Sequence, residues 1–426
     1  MILSGLIASL CCLGALIHSY FVYPWHMRRK ARQCKEFDPI ETLPHVFVLM
    51  AARNEEALIQ HKIQSVFRST YPKARLQVLV GTDACTDRTD SILDACAATY
   101  PGRLHHRIFT ERCGKPGIVG TLYRECRDLV GRLTPEEQQQ SILVLTDVDA
   151  IFEDKTLAEL VLPFGEPSIG GVQAQVVPLT APAETSATGE LPAGDRGSPS
   201  VLEQEIRYLR TEMATKAGES YYGAVVGGYG ALMAMRFHLF EPAPKGLIVD
   251  DFYWFGLILQ GNHRVVFAPL AMARMPVEAS AKIQFRRKRR LGKGNLQNLW
   301  IFRSMLFRKE VAYFFWSHKV LRWLSPWWII AGYLTGSMAL VPLFQGWFLQ
   351  GRPDWTAYAT ALGTGPVLVF VLYLLNQVLC LGGFSPKPLR LILHFLHMNL
   401  ALWLGAWDLF TQSSRQSWWD NQPARS

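Results

Sequence analysis

The stretch SILVLTDVDA, Ser141 to Ala150, decides the fold. Ser141 to Leu145 is short and apolar, the pattern of a strand buried on both faces of a parallel sheet. It ends directly in Thr146, Asp147, Val148 and Asp149. Two carboxylates separated by one residue, at the carboxyl end of a buried strand, lie where open α/β sheets bind ligands. Such a pair reaches one divalent cation, or a cation and a ribose, and Mg2+ or Mn2+ take hard oxygen ligands of this kind. A solvated loop also carries two Asp residues at this spacing, so the pair acquires meaning only from its neighbours.

Upstream, His45 to Ala51 is another short apolar run suited to a buried strand. Glu55 to Arg68 puts Leu58, Ile59, Ile63, Val66 and Phe67 on one helical face, and Leu76 to Val80 is a further strand. Strand, helix and strand in this order predict a right-handed parallel unit with its ligand-binding loops at the strands' carboxyl ends. Downstream, Ala181 to Ser200 is rich in Pro, Gly, Ser, Thr and Ala and reads as a flexible loop. The sequence has no evident internal repeat. Segment 40–300 is long enough for one sizeable α/β domain.

The whole chain is more apolar than such a domain requires. Of 426 residues, 49% are hydrophobic and 19% charged. Much of the apolar content lies in runs that approach or reach the roughly 20 helical residues needed to cross a bilayer. Ile2 to Tyr23 is the first run. It lacks both a preceding basic stretch and a small-residue cleavage site, so residues 1–25 read as an anchor rather than a secretory signal. The basic HMRRKAR that follows predicts an outside N-terminus and a cytosolic domain.

Pro326 to Phe344, Gly365 to Leu381 and Leu389 to Phe410 predict about three further spans over 326–411, before a polar tail at 412–426. The last run carries His394, His397, Asn399 and Asp408, polar residues that inside a bilayer face protein. Segment 301–325 includes KEVAYFFWSHKVLRW, whose basic and aromatic residues alternate as in a helix lying in the interface plane. The expected product is a multi-pass protein of the cell (inner) membrane.

Lys and Arg exceed Asp and Glu by 44 to 35, a net charge of +9. The clusters His26 to Arg32 and Arg286 to Lys293 each adjoin an apolar region, which favours an anionic membrane surface or a phosphate-bearing ligand over nucleic acid. Eight cysteines form no C-x-x-C pair or His-flanked zinc set and predict reduced thiols.

Seven motifs follow one another along the domain: AARNEE (51–56), TDACTDRT (82–89), CGKPG (113–117), LTDVDA (145–150), GGYGALMAMR (227–236), VDDFYWFGLILQGNHRVVFAP (249–269) and RRKRRLGKGNLQ (286–297). In this order and spacing they resemble glycosyltransferase family 2, in its membrane-bound branch related to cellulose, chitin and hyaluronan synthases and to bacterial exopolysaccharide glycosyltransferases. The resemblance runs from about Val46 to Gln297. It implies a GT-A nucleotide-sugar-binding domain, an α/β fold with a mixed, mainly parallel sheet, joined to transmembrane helices.

Carried over by position, the resemblance implies that Ala51 and Glu55 line the nucleotide site and that Asp83 recognises a uracil-like base. Lys115 and Asp147 contact the nucleotide, and Asp149 is the metal ligand with Asp147 beside it. The family's Glu-Asp pair falls on Asp250 and Asp251, with Asp251 as general base, and Gly228 and Gly230 fall in the acceptor region. The chemistry agrees with these roles: a departing diphosphate needs cationic stabilisation, and the attacking hydroxyl needs a carboxylate on the opposite face of the sugar. Each feature also has a plainer reading. Asp250 and Asp251 suit a helix N-terminus, the glycines suit a turn before a core strand, and Lys115 suits a solvated surface.

The basic run departs from the family. A Gln-x-x-Arg-Trp motif placed on it sets Arg287 at the glutamine, Arg290 at the arginine and Leu291 at the tryptophan; a three-residue shift pairs Gln284 with Arg287 but puts Lys288 at the tryptophan. Neither register restores the aromatic residue, which argues against long-chain polymerisation while leaving Arg287 and Arg290 as diphosphate contacts. The expected activity is inverting, metal-dependent transfer of a hexose or N-acetylhexosamine from a nucleotide diphosphate sugar, UDP-linked by resemblance, to a lipid-linked or glycan acceptor at the cytosolic membrane face. A processive synthase that extrudes its product and an inactive membrane scaffold are the alternatives.

Overall fold

The apolar runs flanking Asp147 and Asp149 become the middle of an eight-stranded sheet. Its strands are β1 (Val46–Ala52), β2 (Leu76–Asp83), β3 (Leu104–Phe109), β4 (Ile142–Thr146), β5 (Ile151–Phe152), β6 (Ile169–Pro178), β7 (Leu232–Arg236) and β8 (Arg264–Met275). They lie in the order β3-β2-β1-β4-β7-β6-β8-β5. β1 pairs in parallel with β2, which is the predicted strand-helix-strand unit, and the parallel pairing continues from β1 to β4 and from β2 to β3, a strand not read from sequence. β7 runs antiparallel to β4 and β6, so the sheet is mixed.

The structure, a computed structural model, describes residues 2–33, 37–179, 199–277, 280–348, 362–365, 367–369, 371–375, 379 and 386–411. They divide into two compact units, one built mainly from Pro24–Gln284 and Gln297–Phe315, the other from Met1–Tyr23, Phe285–Leu296 and Trp316–Gln412.

In the unit containing the sheet, β4 and β7 are buried at every position. Withdrawing each Val, Leu or Ile of these central strands from water contributes about 1.5–3 kcal/mol. The Ile59–Phe67 helix covers the sheet with Ile59, Ile63, Val66 and Phe67, as its spacing predicts. It begins four residues later than the Glu55 start read from sequence. Asn54 takes a left-handed φ of 54°, and the N–H groups of Leu58 and Ile59 donate to Glu55 O, so Glu55 sits in a turn ahead of the helix. The Pro135–Gln140 helix opens with a reciprocal cap between Thr134 and Glu137.

The second unit packs helices through small residues. A Cβ on Gly5 would stand 2.9 Å from Ala339 Cβ, and Cβ atoms on Gly292 and Gly405 would collide with the backbones of Leu402 and Arg289. Arg289 binds Asp408 with two hydrogen bonds of 2.6 and 2.8 Å, which accounts for the carboxylate in the last apolar run. Among the described residues, Leu3–Ala31 and Pro388–Thr411 are long and apolar enough to cross a membrane. The run Pro326 to Phe344 lies in the Ser325–Phe348 helix. The Gly365 to Leu381 run is described only in part, at 365, 367–369, 371–375 and 379, while the loop read at 181–200 falls largely, and the 412–426 tail wholly, outside the described residues. Segment 309–323 is helical, with a π-helical turn at Phe315–Val320. The six described cysteines are free thiols.

Candidate active site

β1, β2 and β4 run the same way and end on the same edge of the sheet. Just past two of these ends, Asn54 (φ 54°) and Ala84 (φ 52°) adopt left-handed backbone. Such strain costs of order 1–3 kcal/mol and gathers at functional sites. The two loops brace each other. Asn54 Oδ1 accepts from Thr86 N at 3.0 Å, and Glu55 N donates to Thr89 Oγ1 at 2.8 Å.

β4 delivers the acidic turn. Ala150 N donates to Asp147 O at 3.4 Å, closing it, while Asp147 N donates to Ala231 O at 3.2 Å. Lys115 Nζ donates to Asp147 Oδ1 at 2.6 Å. Lys115 is delivered by Asp83, whose buried Oδ1 accepts from Cys113 N at 2.7 Å and Gly114 N at 3.2 Å. One oxygen of the residue assigned to base recognition is therefore committed to holding the CGKPG turn, where Gly114 takes φ 68°. Burial disfavours the Lys115 ammonium, but Asp147, Asp250 and Asp251 outweigh this and raise its pKa.

The glycine segment passes between the acidic turn and the Asp250–Gln260 helix. Gly228 N donates to Asp251 O at 3.2 Å, and Tyr229 N donates to Oε1 of the buried Gln173 at 2.6 Å. A Cβ on Gly230 would lie 3.4 Å from Lys115 Nζ, 3.5 Å from Asp147 Oδ2 and 3.9 Å from Asp251 Oδ2. Gly230 therefore marks where the three side chains converge.

Asp250 and Asp251 lie in the first turn of their helix, where acidic residues are favoured, although the N-cap position itself is Val249 and carries no side-chain cap. Asp250 Oδ1 accepts from Asp251 N at 3.1 Å and Asp251 Oδ1 from Phe252 N at 2.7 Å. Oδ2 of Asp251 remains toward Gly230, so its carboxylate binds the first turn through one oxygen and leaves the other to face the glycine segment. Burial and the neighbouring Asp250 raise the Asp251 pKa against the opposing pull of Lys115, the Phe252 N–H and Lys216. The approach to this helix is held by Gln297, which accepts from Ile248 N at 3.1 Å, and by Asn298, which donates to Val249 O at 2.8 Å.

Glu55 completes an acidic surround. Burial, then Asp149, Asp147 and Asp87, push its pKa up to about 7. Carboxylates that repel in this way suit a divalent cation. Among the described residues, no set of three or more His, Cys, Asp or Glu side chains is arranged to hold a metal alone. Asp147 and Asp149 are two hard-oxygen carboxylates of the kind a divalent cation takes.

Of the residues singled out from sequence, Glu55, Asp83, Lys115, Asp147, Asp149, Gly228, Gly230, Asp250 and Asp251 gather at this edge. Ala51 is half-buried near the end of β1, opposite Gly81. Arg287 and Arg290 lie on the Ala281–Ile301 helix, within the part of it that belongs to the other unit. Sequence reading missed Lys62, Thr146, Gln173, Gln297 and Asn298. A lysine on the apolar face of the Ile59–Phe67 helix was the one readable sign among them.

The mixed α/β sheet, with its acidic turn at the end of β4, defines a GT-A-like fold. A family profile described as glycosyltransferase like family 2 matches residues 44–294, more than half of the chain. The chain belongs to glycosyltransferase family 2. It is 30% identical over 132 residues to a beta-monoglucosyldiacylglycerol synthase of Synechocystis sp., covering 30% of this chain and 25% of the relative. It is 36% identical over 61 residues to the probable glycosyltransferase YdaM of Bacillus subtilis, 14% of each chain. The chain thus spans a quarter or less of the length of these curated relatives. Among solved structures it is similar to the mannosyltransferase PcManGT of Pyrobaculum calidifontis, determined with GDP-Man and Mn2+, with a TM-score of 0.58 at 21% identity over 97% of this chain and 100% of that one. At that identity the likeness speaks for the fold.

Proposed function

We propose that the protein transfers a hexose or N-acetylhexosamine, with inversion, from a nucleotide diphosphate sugar to a lipid-linked acceptor at the membrane face. The observation that carries this reading is the convergence of Lys115, Asp147 and Asp251 on Gly230. A cationic and acidic pair suited to a metal-bound diphosphate and a half-buried carboxylate suited to a base thus approach the same point.

Asp147 and Asp149 would hold a divalent cation, Mg2+ or Mn2+, which when bound neutralises charge on the departing diphosphate. Lys115 exchanges Asp147 for the diphosphate oxygens, and Glu55 and Ala51 line the nucleotide side. Asp251 Oδ2 takes the proton of the acceptor hydroxyl as the oxygen bonds the anomeric carbon. The bond from that carbon to the diphosphate oxygen breaks with its electron pair on the leaving group. Gly228 and Gly230 leave room for the acceptor. Arg287 and Arg290 are further candidates for diphosphate contact, and UDP is the preferred carrier by resemblance.

Three observations favour a lipid acceptor and single addition: two helices among the described residues suited to a membrane, a partial match to glycolipid synthases, and a basic run without the tryptophan of processive relatives. The test is transfer by the purified full chain with Mn2+, a panel of UDP- and GDP-sugars and diacylglycerol or polyprenyl phosphate acceptors, with products weighed by mass spectrometry. One sugar per lipid is expected. Long chains would favour the processive synthase, and equal behaviour of wild type and Asp251→Asn with every donor would sink the enzymatic reading.

A further inference from the structure

Lys62 lies on the face that the Ile59–Phe67 helix turns to the sheet and is fully buried. Lysine is almost never fully buried unless its nitrogen finds partners, because stripping an ammonium of water costs several kcal/mol. Its Nζ donates to Thr146 Oγ1 at 2.8 Å and to the carbonyl of Ala150, and sits 3.7 Å from the centroid of the Phe152 ring. Thr146 and Ala150 are the residues on either side of the segment carrying Asp147 and Asp149. One nitrogen therefore ties both ends of the acidic turn. Charged or neutral, it has at least two hydrogens, so both bonds persist in either form.

The tie extends in both directions. Thr146 Oγ1 donates to Ala231 O at 2.7 Å, directly after Gly230. Ser65, on the same helix, donates to Lys62 O at 2.8 Å and accepts from Phe152 N at 3.3 Å. For stability alone, an apolar side chain of similar length would fill this space without the desolvation cost.

We propose that Lys62 is a positioning residue for the donor site: by clamping Thr146 and Ala150 it fixes the spacing of Asp147 and Asp149, and so sets affinity for a nucleoside diphosphate together with its cation. This rests on the donor-site reading above. Lys62 touches neither ligand, and its influence passes through the turn.

The experiment compares full-length wild type, Lys62→Met and Thr146→Val. Mn2+ binding is followed by its paramagnetic resonance with UDP or GDP present, alongside thermal melting and the KM for donor and for acceptor. Lys62→Met is expected to melt cooperatively, to bind Mn2+ with the nucleotide about tenfold more weakly, and to raise the donor KM by a similar factor while acceptor KM stays put. Thr146→Val, which removes one of the two acceptors, is expected to lose about threefold. A merely structural role would lower the melting temperature without splitting the two KM values. If Lys62→Met folds and binds within about twofold of wild type, the inference is overturned; if it does not fold, wild-type-like binding by Thr146→Val overturns it instead. Wild type that binds neither nucleotide with Mn2+ overturns the proposed function, and the inference with it.

Discussion

Lys115 Nζ lies 2.6 Å from Asp147 Oδ1, with side-chain exposures of 30% and 40%. A pair this open to solvent stabilises a fold by less than about 1 kcal/mol, so its value lies in what displaces it. Lys115→Met is expected to keep the melting temperature within about 5 °C of wild type while raising the donor KM about tenfold or more. Melting curves and donor titrations on the same preparation check both halves.

Asp251→Asn separates chemistry from binding. The amide keeps the shape and accepts the Phe252 N–H, but cannot take the acceptor proton. Turnover is expected to fall by about 10²–10⁴, while nucleotide affinity measured by calorimetry stays within about twofold. Asp149→Asn should do the reverse at subsaturating Mn2+, losing nucleotide affinity first. If both variants lose affinity and turnover in parallel, the division between a donor end and a base end is wrong.

Glu55 predicts a pH dependence of stability. Its native pKa is pushed up to about 7 from an ordinary value of 4.5, first by burial and then by Asp149, Asp147 and Asp87. Between those two values the native chain holds a proton that the unfolded chain has released. Stability of the metal-free protein therefore falls as pH rises through that window, and this group adds no pH dependence below or above it. Asp251, whose pKa is also raised, acts in the same direction. Thermal melts from pH 4 to 8 should show a shallower decline in Glu55→Gln than in wild type, and identical slopes would contradict the proximity of Glu55 to the acidic turn.

The legible part of this molecule was what hydrophobic period and strand-end chemistry fix. β1, β2 and β4 are short apolar runs, and the carboxylates follow β4 without a break, so these three parallel strands and the acidic turn could be read directly, whereas β3, with its two histidines and an arginine, has no such apolar run. The antiparallel half was less accessible, because pairing of β7 between β4 and β6 is a long-range choice with no local signature. Glu55 was assigned to a helix because its neighbours have helical period, whereas the left-handed Asn54 delays the start. Residues that brace the site were hidden for a related reason. Gln173, Gln297 and Asn298 are ordinary polar letters until the fold buries them against backbone groups.

Gly228 and Gly230 are two residues apart and should respond differently to a methyl group. A Cβ on Gly228 would stand 2.9 Å from the carbonyl oxygen of Asp251, a backbone atom that cannot yield without moving the helix start. Gly228→Ala is therefore expected to lower stability by about 1–3 kcal/mol and to disturb Asp251 with it. At Gly230 the nearest atoms are side-chain atoms at 3.4 Å or more, so alanine fits with little strain. That methyl would fill the space where Lys115, Asp147 and Asp251 converge, and Gly230→Ala should melt like wild type while transfer falls about tenfold or more. Denaturation and transfer rates of the two variants decide the matter: wild-type transfer by a stably folded Gly230→Ala would mean that the reacting groups do not meet at Gly230.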